Sequence, residues 1–96
     1  MPYVLGLFRV KDFEAWRAGF VAEESVAWRK SDGAGKYRIF RAQDDPSTAL
    51  VLLEWDNLDN ARRHAQSAKL REIHENILTA PPEVYFLEAD EDGPAW

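Results

Sequence analysis

The chain has 96 residues with twelve Lys and Arg against seventeen Asp and Glu, a formal net charge of −5, four Trp, five Phe and no cysteine. A chain of this length is one small domain that buries only part of its surface, so aromatic packing or a partner subunit must add to the core. The acidic balance argues against nucleic acid and anionic membranes as partners, and the lack of cysteine excludes disulfides and thiolate metal sites.

The first strand is predicted over about Tyr3 to Val10. The opening "MPYVLGLFRVKDFEAW" lacks a basic start and carries Asp12 and Glu14 early, so a signal peptide is not expected. With no apolar run long enough to span a bilayer, a cytoplasmic location is the expectation. Asp12 offers an N-cap and Glu14 suits the first turn of a helix, which is predicted to run to about Lys30. It stops in "SDGAG", where Gly33 and Gly35 can take left-handed conformations. A second strand, "KYRIFRAQ", enters the turn "DDPS", and "TALVLLEW" is the third. Asn57 or Asp59 caps a second helical region, and "APP" ends it ahead of the last strand, "EVYFLEA". The acidic end, residues 91–96, with Gly93, Pro94 and Trp96, is read as a tail past a single domain of residues 1–90, with docking of Trp96 on a partner chain as the alternative.

The order βαββαβ predicts an α+β, ferredoxin-like sandwich with one antiparallel sheet and two helices on one face. The strands are apolar on both faces. Val51, Leu53 and Trp55 oppose Leu50 and Leu52; Val4, Phe8 and Val10 oppose Leu5 and Leu7; Val84 and Phe86 oppose Tyr85 and Leu87. Two helices cover only one face, and a second copy of the sheet is the simplest cover for the other. A homodimer through the sheet is therefore expected.

The helical regions carry polar residues in apolar stripes. Phe13, Trp16, Phe20 and Ala27 form one stripe, with Glu24 inside it and Trp28 at its edge. Glu24 is either a carboxylate lining a pocket or a residue at the exposed end of the stripe. In the second region, Ala61, His64, Ala65 and Ala68 form one stripe, and Leu70, Ile73, His74 and Ile77 another. At ~100° per residue the two are about half a turn out of phase, so a break near Ser67 to Lys69 is predicted, with Ser67 capping a second short helix. Each histidine thus falls in an apolar stripe, either as a satisfied core residue or as a general base or donor toward a phenolic substrate. His64 lies among alanines, which leave room beside it; His74 lies among Leu and Ile.

No HExxH, GxGxxG, Walker or GxSxG motif occurs, so no metal and no cofactor is expected, and chemistry here has to be acid–base or substrate-driven. The segments "DFEAW", "FRAQDDPS", "VLLEWDNLDNARRHAQSAKLRE" and "PPEVYFLE" resemble the dimeric α/β-barrel superfamily, nearest its small antibiotic biosynthesis monooxygenase-like members, some called cyclases. The resemblance covers roughly residues 3 to 89. It implies a ferredoxin-like protomer that dimerises through its sheet and a pocket between sheet and helices. It implies several possible reactions: cofactor-free oxygenation of aromatic polyketides, cyclisation or isomerisation. The haem-degrading members need an Asn on strand one, which "YVLGLFRV" lacks. No catalytic motif of the family carries over residue by residue. The candidates are therefore His64, Glu24 and Tyr37 for catalysis, and Trp28, Trp55, His74 and Tyr85 for a small aromatic or polyketide-like substrate. The competing reading is a non-catalytic dimer that binds a small ligand or supports another protein. An open cavity with His64 in its wall would favour catalysis, and a core filled by Trp and Phe rings would favour the competing reading.

Overall fold

A computed structural model describes residues 2–95; the expectation for Trp96 falls outside the described residues. The elements are β1 (Pro2–Arg9), α1 (Phe13–Phe20), α2 (Glu23–Asp32), β2 (Ala34–Arg41), β3 (Thr48–Trp55), α3 (Leu58–Ala65), α4 (Ala68–Ile77) and β4 (Glu83–Glu88). The four strands form one antiparallel sheet in the order β2-β3-β1-β4, the ferredoxin-like arrangement expected from βαββαβ. Residues 89–95 carry no regular structure.

Local chemistry sets the boundaries. Asp12 caps α1, its Oδ1 accepting from the Ala15 amide at 3.2 Å, and Asn57 caps α3 through the Asn60 amide at 2.8 Å. Gly33 closes α2 in the left-handed region, φ 112°. A Cβ at Gly33 would stand 2.5 Å from the Asp56 carboxylate, so both backbone conformation and space demand glycine there. In the β2–β3 turn, Asp45 accepts from the Ser47 amide and hydroxyl and from the Thr48 hydroxyl. These donors hold its carboxyl below the usual range, led by the Thr48 hydroxyl.

Both helical regions are broken. The break predicted near Ser67 is present: α3 ends at Ala65, and the Ser67 hydroxyl caps α4 by accepting from the Leu70 amide at 3.2 Å. The first region differs from expectation. It is two helices, because Ala22 is extended (φ −59°, ψ 145°) between α1 and α2. That interruption rotates α2 relative to the stripe read from α1. Glu24 and Ala27 turn outward and are exposed, while Arg29 turns inward.

The register assigns the faces. Val4, Gly6 and Phe8 pair with Leu53, Val51 and Ala49, and all face the helices, with Trp55, Tyr37 and Ile39 on the same side. Val10, Trp16, Ala49, Val51, Leu53, Trp55, Ala61 and Leu78 form the buried core. The opposite face presents Leu5, Leu7, Leu50 and Leu52, flanked by Phe40, Tyr85 and Leu87. No helix among the described residues covers it, and Phe40 and Tyr85 remain 44% and 50% exposed.

Candidate functional site

The sheet and the four helices meet around a cavity of about 480 Å³. Its walls are the rings of Phe8, Trp16, Phe20, Trp28 and Trp55, together with aliphatic groups from β1, β3, β4 and α4. This volume lies in the range of small-molecule sites, and its lining is mostly apolar with a few polar groups. Gly6 helps form the floor. The Phe8 ring folds back along β1, where a Cβ on Gly6 would come within 2.6 Å of it.

His64 occupies the last turn of α3 and is only 7% exposed. Its Nδ1 lies 2.7 Å from Oδ2 of Asp32, the last residue of α2. A carboxylate accepts from Nδ1–H, which leaves Nε2 with a lone pair when the ring is neutral. Among the described residues Nε2 has no hydrogen-bond partner, and His64 lines the cavity. The indoles of Trp28 and Trp55 pack against the ring, with centroids 4.4 and 5.2 Å away. The small side chains of Ala61 and Ala65 on α3 leave the space beside it, and both line the cavity. The arrangement is an oriented imidazole backed by a carboxylate and facing an apolar space, which is the geometry of a general base.

Two further polar groups stand in the walls. Trp55 is 1% exposed, and among the described residues its buried indole Nε1–H has no hydrogen-bond partner. Arg29 is 8% exposed; its Nη2 donates to the Phe20 carbonyl oxygen, and its guanidinium lies 3.8 Å over the Phe20 ring. Burial holds its pKa below the ordinary value, against a smaller opposing effect of Tyr37. His74, on α4, packs its ring 5.2 Å from that of Phe8 and also lines the cavity. Burial, and secondarily the neighbouring His64, push its pKa down. Lys69 closes over Trp28 at 4.3 Å, tying α4 to α2.

Of the residues singled out from the sequence, His64, Trp28, Trp55 and His74 therefore come together at one cavity. Glu24 stands exposed in the first turn of α2, at the cavity edge and without a hydrogen bond among the described residues. Tyr37 is on the helix-facing side of β2 but lies outside the cavity lining, its ring edge-on to Phe20 at 5.2 Å. Tyr85 is removed from the group altogether. It pairs with Leu5 on the opposite sheet face, and its hydroxyl donates to Glu83 Oε1 at 3.3 Å. Asp32 and Arg29 were not singled out. No apolar period along α2 marks either position.

Among the described residues no group of three or more His, Cys, Asp or Glu side chains forms that could hold a metal ion, and no helix is long and apolar enough to cross a membrane. The chain thus has a ferredoxin-like α+β fold whose helix-facing side carries an apolar cavity with His64, paired to Asp32, in its wall. Solved structures of antibiotic biosynthesis monooxygenase type share this fold. SnoaB from Streptomyces nogalater, a cofactor-independent oxygenase, superposes with a TM-score of 0.70 at 17% identity over 97% of this chain and 96% of its own. A Bordetella bronchiseptica protein assigned as an antibiotic biosynthesis monooxygenase gives 0.71 at 19% identity over 94% and 97%. Another antibiotic biosynthesis monooxygenase gives 0.66 at 17% identity over 95% and 100%. No protein-family model and no curated protein sequence matches the chain.

Proposed function

We propose that this protein is a small homodimeric enzyme of antibiotic biosynthesis monooxygenase type, acting without a bound cofactor on a small aromatic or polyketide-like substrate. The observation that carries the proposal is His64, fixed by Asp32 on one side and open to an apolar cavity on the other. A non-catalytic core would be expected to fill that space with rings and bond the imidazole to backbone. Similarity of fold to a cofactor-independent oxygenase agrees with the reading but does not choose the reaction.

In the proposed reaction His64 Nε2 removes a proton from a phenolic or similarly activated substrate, and Asp32 stabilises the imidazolium that forms. The apolar walls exclude water from the resulting anion. The anion passes electrons to molecular oxygen, forming a carbon–oxygen bond and a peroxide. Cleavage of the O–O bond then releases water, with protons supplied by the substrate carbon and by His64. Net, a CH2 group and O2 give a carbonyl and water. An aldol cyclisation or isomerisation would use the same proton abstraction without oxygen. Oxygen uptake with an anthrone-type carbon acid tests the proposal. His64→Gln should lower the rate by about 10²- to 10⁴-fold, the usual contribution of a positioned base. An unchanged rate in that variant would remove His64 from the chemistry.

The dimer is proposed to form through the open sheet face bearing Leu5, Leu7, Leu50, Leu52, Phe40 and Tyr85, which is apolar and lacks a helix to cover it. Sedimentation at low micromolar concentration tests this, and a well-folded monomer would refute it.

A further inference from the structure

The cavity has a second polar pole, at Arg29. Guanidinium groups are rarely this buried unless a carboxylate accompanies them. Among the described residues the ion pairs are Arg41 with Glu14 and His64 with Asp32, so none of the described carboxylates pairs with Arg29. Asp32, one turn along the same helix, is engaged with His64 instead. The Phe20 carbonyl takes one of the five N–H donors of Arg29. Among the described residues Nε and Nη1 have no hydrogen-bond partner and neither is fully buried, and Arg29 is part of the cavity wall.

We propose that Arg29 anchors the carboxylate of the ligand, so that the cavity takes a small aromatic acid. The inference rests on reading the cavity as a ligand site and adds the class of ligand. A planar guanidinium with free donors matches a carboxylate in a two-bond fork. Positions 29 and 32 are i and i+3 on one helix, about 5–6 Å apart at Cβ, and His64 reaches in from Asp32. A ligand held by its acid group at Arg29 shares the cavity with the rings of Trp16, Trp28 and Trp55 and with His64, all of which line it. The net charge of −5 does not attract anions at long range, so selectivity for an acid has to come from this one local cation.

Arg29 also ties α1 to α2 through the Phe20 carbonyl and ring, and a purely structural role is the competing account. Calorimetry on the unaltered protein separates the two without a substitution. At pH about 7.5, 2-naphthoic acid is compared with 2-naphthamide and 2-naphthol. The acid is expected to bind at least tenfold tighter than either neutral compound. The preference for the acid over the amide should persist at pH about 9, where an arginine keeps its charge. Arg29→Met should abolish the preference while the amide still binds, and Arg29→Lys, which keeps the charge but loses the fork, should reduce it several-fold. Equal binding of acid and amide by the unaltered protein, loss of the preference at pH 9, or its survival in Arg29→Met overturns the anchor alone. Failure of all three compounds to bind overturns both the anchor and the cavity as a ligand site. If Arg29→Met does not fold, the unaltered protein and Arg29→Lys still decide.

Discussion

Replacing Asp32 by Asn separates the chemistry of the His64 pair from the stability of the fold. Asp32 Oδ2 lies 2.7 Å from His64 Nδ1, while the Asp32 side chain is 37% exposed. A carboxylate accepts from the Nδ1–H of the neutral ring but not from the bare Nδ1 of the other tautomer. A hydrogen bond to a charged group is worth about 1.5–3 kcal/mol, toward the lower end where the carboxylate is partly exposed. That is about a ten- to hundredfold bias toward the Nδ1–H form, and a comparable loss in any rate that passes through the imidazolium. Stability should barely move. Asp32 is the last residue of α2, where a negative charge opposes the helix dipole by about 0.3–1 kcal/mol, and Asn still offers an oxygen to Nδ1–H. The assay is a long-range 1H–15N correlation spectrum at pH about 8.5, with urea denaturation alongside. The unaltered protein should show the proton on Nδ1, and Asp32→Asn a mixture of tautomers with a denaturation midpoint little changed. An Nε2–H tautomer in the unaltered protein, or an undisturbed Nδ1–H in the variant, would refute the orienting role of Asp32.

Other outcomes are expected from the same structure. The depressed pKa of His74 means that the unfolded chain takes up a proton first as pH falls. Stability present above about 6.5, the ordinary histidine value, should therefore decline below it, and urea midpoints at pH 7.5 and 5 should differ less in His74→Asn. Asp45 acts in the same direction below about 3.9, the ordinary Asp value, so stability should fall again there, and Asp45→Ala should flatten that limb of the curve. Gly33→Ala should cost roughly 1–3 kcal/mol by denaturation, because the residue sits at φ 112° against the Asp56 carboxylate. Phe40→Lys together with Tyr85→Lys should yield a folded monomer by sedimentation if the open sheet face is the dimer contact.

Strands and caps were legible because their signals are local. "TALVLLEW" marks β3 from end to end, and Asp12, Asn57, Ser67 and Gly33 act where their side chains, or the lack of one, predicted. The break before α4 was legible too, since two apolar stripes half a turn apart cannot share one straight helix. The break at Ala22 was not. It contains neither Gly nor Pro, and Phe13, Trp16, Phe20 and Ala27 continue a plausible stripe across it. Once the phase slips, the inward positions of α2 include Ser25, Arg29 and Asp32, whose polarity gives no apolar period to follow. Half of the His–Asp pair was hidden for that reason, and Glu24 stood in for it. Tyr85 misled for another reason. Both faces of β4 are apolar, so alternation alone could not say which one turns toward the helices.

Three of the four tryptophans, Trp16, Trp28 and Trp55, stand in the cavity wall, and two of them touch the His64 ring. The protein consequently carries its own optical probe at the place of interest. A flat aromatic guest entering the cavity has to lie within contact distance of several indoles, so quenching or energy transfer from tryptophan emission should report occupancy directly. Screening a collection of aromatic compounds for their chemistry with this protein can then begin from an unlabelled fluorescence titration.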